Sequence, residues 1–380
     1  MTKIFQYILF ILLIASSCVD PYWPDLKTSN SNTLVVDALI TDNPDDQQVK
    51  LSISSPLNDQ HFIPVDSATV NVKDDLGNNI PFHFSGDGLY TPDNFTGIPG
   101  RSYKLLINMT DGNQYESDYQ TLQTVEPFDS VYYSIDDMPT TDPTVNIEGA
   151  QFYIDYPSNN TDTYYLIQLE ETYEYKPDLR LYYMDTGDGP EIASVPQPLK
   201  CWKTSLINKF FISRSLVSGN APERSLPLHF VPFDTKQFSV RYSLLIKQIA
   251  VSEEIYNFYY EINQQNNSGS LYASQPYTIQ GNVHCITNPG EKVLGSFVAG
   301  SIYQKRTFYN SPAKGHFTYD VCDPVTDGPS LGGIMAAGGT LLSPLYFTLV
   351  NGRIGWAPDK CFFCAMAGGL TEKPDFWVDQ

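Results

Sequence analysis

The residue whose type and position most clearly predict chemistry is Cys18, because three small residues, Ala15, Ser16 and Ser17, stand immediately before it. A signal peptidase requires small side chains next to the bond that it cleaves. A thiol directly after such a bond can carry a thioether-linked lipid, and several acyl chains on one residue hold a protein firmly on a membrane. The spacing therefore indicates cleavage before Cys18 and lipidation of its sulfur.

The residues before this site have the three-part layout of a secretory signal. Lys3 supplies a positive charge, and residues 4–14 are apolar apart from Gln6. This stretch is too short for a transmembrane helix, which needs about 20 apolar residues. Residues 1–17 are therefore predicted to be a signal peptide that resembles those of bacterial lipoproteins, although Ala15 replaces their usual Leu. The competing interpretation is ordinary cleavage near Ala15, with Cys18 structural.

Five further cysteines follow, namely Cys201, Cys285, Cys322, Cys361 and Cys364. Disulfides are the default outside the cytosol. Cys361 and Cys364 form a CxxC motif, but a redox motif needs a βαβ context and a zinc site needs a second close pair, and the sequence indicates neither. We therefore predict disulfides that use Cys201, Cys322, Cys361 and Cys364, with the pairing left open. The odd count leaves one cysteine over, and we expect this to be Cys285.

Other motifs of catalysis or metal binding are missing from the sequence. The histidines are scattered and form no HExxH pair, and neither a GxSxG motif nor a P-loop is present. Glu170 and Glu171 are neighbours on a predicted strand, so they face opposite sides and cannot act as a dyad. The acidic runs 42–46 and 74–78 are typical of turns more than of calcium loops. The sequence therefore predicts a non-enzyme without a metal or cofactor.

The composition excludes nucleic acids as a class of partner. The net charge is −20, whereas binding to phosphate backbones needs clustered Lys and Arg. The 26 Tyr and 21 Phe favour half-buried strands. Exposed Tyr faces could also bind sugars, peptides or partner proteins, since each ring is large and amphipathic. Core packing is the alternative use for these rings.

Short alternating runs separated by Gly and Asp turns predict a mainly β protein with a β-sandwich near the N-terminus. The alternation is clear at Val49, Leu51 and Ile53 and again at Tyr103, Leu105 and Ile107. The predicted organisation is a lipidated flexible spacer at 18–32, a β-sandwich at 33–123, a proline-containing linker at 124–148, and a larger β-rich domain at 149–380.

One amphipathic helix is predicted near 252–267 in the larger domain. Ser252 is suited to cap it, because its hydroxyl can accept from a backbone N–H of the first turn. The apolar residues Ile255, Phe258, Tyr259 and Ile262 share one helical face, which we expect to pack on a sheet.

The C-terminal tail contains Phe376 and Trp377. Free tails rarely keep large aromatic side chains exposed. We therefore expect the tail to dock on the body of the protein.

Several segments together resemble a Bacteroidota lipoprotein family called domain of unknown function 4249. The similar segments are 34–42, 68–74, 88–90, 97–103, 201–202, 241–244, 275–282, 293–297 and 368–377. The resemblance implies an N-terminal sandwich of the transthyretin-like or Ig-like type, and it supports treating Cys285 as the unpaired cysteine. The family has no assigned catalytic residues, so none are carried over.

Members of that family resemble outer-membrane lipoproteins that are often encoded beside TonB-dependent receptors. Together with Cys18, this implies a lipid-anchored, palmitate-bearing outer-membrane protein that is not an enzyme. We expect an accessory subunit of a TonB-dependent receptor or another outer-membrane complex, which helps substrate capture or assembly. The alternative is a freestanding glycan- or peptide-binding lipoprotein at the cell surface. Which membrane face displays the body stays open, and so does the role of Cys285.

Overall fold

The computed structural model describes residues 33–55, 61–140, 142, 144–156, 163–186, 190–215, 225–267, 279–312, 317–326 and 344–379. The predicted signal peptide, Cys18 and the predicted spacer lie outside these residues. The mainly β prediction is confirmed, and within these ranges one α-helix accompanies the strands.

The strands are numbered along the chain. The first group is β1 (Leu34–Ile40), β2 (Gln48–Ile53), β3 (Ile63–Pro64), β4 (Thr69–Asp74), β5 (Asn79–Gly86), β6 (Leu89–Thr91), β7 (Ser102–Asn108), β8 (Gln114–Ser117) and β9 (Gln120–Thr121). The second is β10 (Ser130–Pro139), β11 (Asn146–Asp155), β12 (Thr163–Tyr175), β13 (Tyr183–Asp185), β14 (Glu191–Ile192), β15 (Cys201–Leu206), β16 (Phe211–Ser215), β17 (Leu226–Pro232) and β18 (Arg241–Val251). Helix α1 (Glu253–Asn267) precedes β19 (Val283–Cys285), β20 (Val293–Ala299), β21 (Ile302–Asn310), β22 (Leu345–Val350) and β23 (Arg353–Trp356).

The first body is built by β1–β9 around a buried apolar core. Strand β5 pairs with β4 over its first half and with β6 over its second half, and so carries the sheet around the core. The core consists mainly of aliphatic side chains from alternating positions, such as Val36, Leu51, Val72 and Leu105. The alternation in the sequence records this one-sided burial.

Two strands from late in the chain complete this sheet. Strand β20 pairs in parallel with β1, and β19 pairs with β8 at the opposite edge. The side chain of Asn282 links the two edges, because its amide donates to the carbonyl of Phe297 and accepts from the Phe297 N–H, both at 2.8 Å. The predicted single domain at 149–380 therefore differs from the structure, since residues 283–299 belong to the first sheet. Parallel pairing across such a sequence distance leaves no local pattern.

The predicted linker at 124–148 is wrong in its central part. Strand β10 occupies Ser130–Pro139 and pairs with β11 along its whole length. Of the prolines that indicated a linker, Pro127 lies before this strand and Pro139 is its last residue. Tyr133 of the strand packs on the core of the second body, which is why the segment is ordered as a strand.

The second body is a sandwich of two sheets. Strands β10, β11 and β17 form one sheet, and β12, β15, β16, β18 and β21 form the other. Aromatic side chains fill the space between them, and Phe152, Phe238 and Tyr242 are completely buried there. Phe152 stacks on Tyr242 with ring centroids 5.4 Å apart. A small sheet of β13, β14, β22 and β23 adjoins this body.

The predicted helix is confirmed as α1. The hydroxyl of Ser252 accepts from the Ile255 N–H at 3.3 Å, as expected of an N-cap. Ile255, Phe258 and Tyr259 are buried against strands of both bodies. The helix therefore helps to hold the two bodies together.

The acidic run 42–46 forms a turn, as predicted, and joins the two bodies. Asp42 accepts from the Ile302 N–H at 2.8 Å, and Lys247 contacts Asp46 at 2.5 Å. The Gly300 N–H donates to the carbonyl of Ile40 at 3.0 Å. The second body is thus attached at the Ile40 end of β1, opposite the end where β1 begins.

Candidate binding site at the distal end

The predicted cysteine residues fall into two kinds of site. Cys201 pairs with Cys364, and Cys322 pairs with Cys361. The four cysteines are those expected from the sequence, but the CxxC residues bond to distant partners and not to each other. Cys285 is buried and unpaired, as expected. Cys18 lies outside the described residues.

Cys285 lies beside a small open pocket of about 80 Å³, lined in part by Gly281, Glu291 and Val293. The Asn288 N–H approaches its sulfur at 3.4 Å, and Glu291 lies 3.8 Å from it. Tyr115 donates to the other oxygen of Glu291 at 2.5 Å. Because these groups already contact one another, the thiol is a packed core group of the first body.

Glu171 is a buried carboxylate at the centre of the second body. One oxygen accepts from Gln237 at 2.7 Å and from Ser205 at 3.2 Å. The other accepts from Tyr242 at 2.9 Å, and His229 lies 3.8 Å from it. Burial, reinforced by this carboxylate, raises the pKa of Tyr242 well above its ordinary value, so the hydroxyl remains a donor.

Two opposing effects act on the imidazole of His229 in this cluster. Burial lowers the pKa of its imidazole, although the carboxylate of Glu171 opposes this effect. Ser205 donates to Glu171 and not to an imidazole, so the arrangement lacks the nucleophile–base contact that nucleophilic catalysis uses. The cluster therefore joins four strands through one carboxylate, that of Glu171, whose two oxygens both accept hydrogen bonds.

Glu170 lies on the opposite face of β12, as predicted. Its carboxylate binds Arg306 at 2.5 Å, and the same guanidinium lies over the ring of Phe376 at 3.7 Å. The two neighbouring glutamates thus serve opposite faces of one sheet. The outer face, which bears Glu170, is the one that the C-terminal tail crosses.

The C-terminal segment, defined as Leu370–Asp379, docks on this outer face. Leu370 and Trp202 exchange backbone hydrogen bonds of 2.9 and 2.7 Å, so the segment adds to the edge of β15. Trp377 is only 4 % exposed. Its ring lies 6.4 Å from that of Trp202 and 5.4 Å from that of Phe308, both edge to face. The expectation that the tail docks is therefore met.

We call the surface beneath this segment, formed by Trp202, Arg241, Arg306 and Phe308, the distal aromatic surface. The guanidinium of Arg241 lies 5.2 Å from the ring centroid of Phe308. The surface occupies the end of the second sandwich remote from the first body, because β18 begins at Arg241 and reaches the joint at its other end. The bond between Cys201 and Cys364 fixes the segment to the same end.

Three hydrogen-bond donors, on this surface or on the segment that covers it, have no acceptor among the described residues. They are the indole nitrogens of Trp202 and Trp377 and Nε of Arg241. A buried donor without a partner costs about 1–3 kcal/mol. The surface therefore has unused capacity for an oxygen acceptor.

Sequence reasoning found only part of this site. Docking of Trp377 was expected from its size, but its contacts with Trp202 and Phe308 join residues far apart in the chain. The cluster of Glu171 and His229 was missed for the same reason. No local spacing connects such residues.

These features define a mostly β protein of two bodies, with a disulfide-linked end that carries aromatic and cationic side chains. Among the described residues, no group of three or more His, Cys, Asp or Glu side chains is placed to hold a metal ion. No helix in the same ranges has the length and hydropathy needed to cross a membrane.

The family model Domain of unknown function (DUF4249) matches residues 19–306. The chain therefore belongs to this family, which confirms the resemblance. The matched range ends before the C-terminal segment, so the similarity assigned to 368–377 lies outside it. A search of curated proteins found no match.

Proposed function

We propose that the protein is a non-enzymatic outer-membrane lipoprotein, anchored through Cys18, that serves as an accessory subunit of a β-barrel receptor or assembly complex. One observation carries this proposal, namely the opposite placement of the Leu34 end of β1 and the distal aromatic surface. A lipid on Cys18 connects to the Leu34 end, whereas the second body is joined at the Ile40 end.

The lengths of the strands support an arrangement in which the first body holds the second body away from the membrane. Strand β1 has 7 residues and β18 has 11, which correspond to about 23 and 36 Å at about 3.3 Å per residue. The first body thus separates the lipid-bearing end from the second body. The protein's acidity supports the same assignment, because a charge of −20 is repelled by anionic lipid and the anchor must act through its acyl chains.

The saturated cluster at Glu171 supports a non-enzymatic role. Its carboxylate accepts from three side-chain donors, so its hydrogen-bonding capacity serves the fold. No oxygen of this carboxylate is left without a donor. The distal aromatic surface differs in this respect, because Trp202 and Arg241 there have donors without acceptors among the described residues.

Co-purification from detergent-solubilised outer membranes tests the proposal. Antibodies against the native protein are expected to recover a β-barrel partner in stoichiometric amount. The variant Cys18→Ser is the control, since it keeps the folded body but is expected to leave the membrane fraction. Recovery of a lone monomer from wild-type membranes contradicts the proposal.

A second candidate function is that of a freestanding glycan- or peptide-binding lipoprotein. Trp202 and Arg241 at the distal aromatic surface have donors without acceptors in the described ranges, and this favours it because both ligand classes carry many acceptor oxygens. Thermal-shift measurements with a ligand panel separate the candidates, since a ligand that binds only the folded state raises the melting temperature.

A further inference from the structure

The C-terminal segment occupies the distal aromatic surface as a bound peptide would. It pairs its backbone with an edge strand at Trp202 and inserts one aromatic side chain, Trp377, between Trp202 and Phe308. Edge pairing combined with a side-chain pocket is a general mode of peptide recognition. The surface therefore already holds a segment that pairs at one residue, turns between Pro374 and Trp377, and inserts one aromatic side chain.

The fit of this segment is incomplete. The indole nitrogens of Trp202 and Trp377 and Nε of Arg241 are buried without acceptors among the residues described. Leu370, Phe376 and Val378 remain exposed although they belong to the docked segment. Because Trp377 leaves with the present segment, a new segment that offered an acceptor oxygen at this point would satisfy the two donors of the surface itself, Trp202 and Arg241.

The charges around the surface indicate what a better occupant carries. Glu174 is buried and is paired with Lys200 at 3.1 Å, and Glu170 is paired with Arg306. Both carboxylates therefore already have cationic partners, whereas Nε of Arg241 has no acceptor in the part of the chain that the structure describes. A carbonyl, hydroxyl or carboxylate oxygen beside an aromatic ring complements this arrangement.

We propose that the distal aromatic surface is a peptide-binding site, which the chain's own C-terminal segment occupies and which an aromatic-bearing segment of a partner protein takes over by displacing it. The inference rests on the proposed role as a partner-binding subunit. The own segment acts as a competitor at high effective concentration because it is covalently attached. Displacement changes no covalent bond, since Cys364 lies before the displaced residues.

A synthetic peptide of residues 370–380 is the probe, and binding is measured by fluorescence anisotropy on the full mature chain. Trp377→Ala in the protein weakens the competitor, so the peptide is expected to bind this variant about tenfold or more tighter than wild type, in proportion to the fraction of open surface. The control peptide carries Trp377→Ala and is expected not to bind. Adding Phe308→Ala to the protein variant is expected to abolish binding.

Two binding results would overturn the proposed peptide site, and a third would overturn its ligand class. Peptide that binds none of the folded proteins overturns it, and so does peptide that binds equally with and without Phe308. A neutral glycan that binds where the peptide does not overturns the assignment of ligand class. A chain that ends after Gly369 exposes the same surface by a second route, in case Trp377→Ala does not fold.

This test is separable from that of the proposed function. If the peptide binds but no β-barrel protein is recovered, the accessory role fails while the peptide site stands. If a β-barrel protein is recovered but the peptide does not bind, the partner uses another surface.

Discussion

The two bodies of this protein are both β-structures, but they are stabilised differently. The first has an aliphatic core, no disulfide among its described residues and one buried free thiol, Cys285. The second has an aromatic core around the buried anion of Glu171 and is tied by two disulfides. The first body therefore depends mainly on the burial of apolar area, which is non-directional.

The second body depends on groups that must meet specific partners. Tyr242 needs Glu171 as its acceptor, and Trp377 needs the surface that Trp202 and Phe308 provide. Buried polar networks are costly when one member is missing. We therefore expect the second body to respond more strongly than the first to single changes.

The largest difference in stability between the two bodies is expected when the disulfide between Cys201 and Cys364 is removed. The two residues are 163 positions apart, and the chain-entropy relation gives about 5 kcal/mol for a loop of this length. The double variant Cys201→Ser, Cys364→Ser should lose about 3–5 kcal/mol of unfolding free energy in the second body. Urea titration followed by tryptophan fluorescence checks this, because Trp202, Trp356 and Trp377 all lie outside the first sheet.

The control for this prediction is Cys285→Ser. It removes the unpaired thiol of the first body and should leave the fluorescence transition unchanged. Equal losses for Cys285→Ser and for the double variant would mean that the disulfide contributes nothing specific to the second body.

A smaller effect is expected at the buried anion. Glu171→Gln replaces one acceptor oxygen by a donor that faces Tyr242 or Gln237, and an unsatisfied buried donor costs about 1–3 kcal/mol. The matched control is Glu170→Gln on the opposite face, where a smaller loss is expected because the Glu170 side chain is 24 % exposed against 8 % for Glu171. Chemical denaturation of both variants distinguishes the two faces of β12. Equal losses would refute a special role for the inner carboxylate.

The smallest effect is a dependence on pH. Burial lowers the pKa of His229 below the ordinary 6.5, so above that pH the imidazole is neutral in both folded and unfolded chains. As the pH falls below 6.5, the unfolded chain binds more protons than the folded one, and stability is lost. His229→Asn should flatten this part of the stability curve. A wild-type curve that rises on acidification would contradict the direction.

The same contrast explains how much the sequence could predict. Alternation at Val49, Leu51 and Ile53 was enough for the first body, since period-two burial is a local property. The caps and apolar face of α1 were equally local. Strands β19 and β20, however, reach the first sheet from far along the chain, since Val293 of β20 is 259 positions from its partner Leu34 and Val283 of β19 is 166 positions from its partner Ser117.

The candidate site was predictable only where composition was decisive. The odd cysteine count predicted one unpaired cysteine, the family resemblance supported Cys285 as that residue, and the size of the indole predicted that Trp377 docks. The partners of Trp377 and the contact of Glu171 with His229 depend on how two sheets face each other. No residue spacing carries that information.

The lipid at Cys18 is the most direct point to test, because holding the second body away from the membrane requires an anchor on the Leu34 side. Metabolic labelling with radioactive palmitate should mark the wild-type protein and the Cys285→Ser variant equally, and should leave Cys18→Ser unmarked. Label that persists in Cys18→Ser, or that is absent from the wild type, would contradict it.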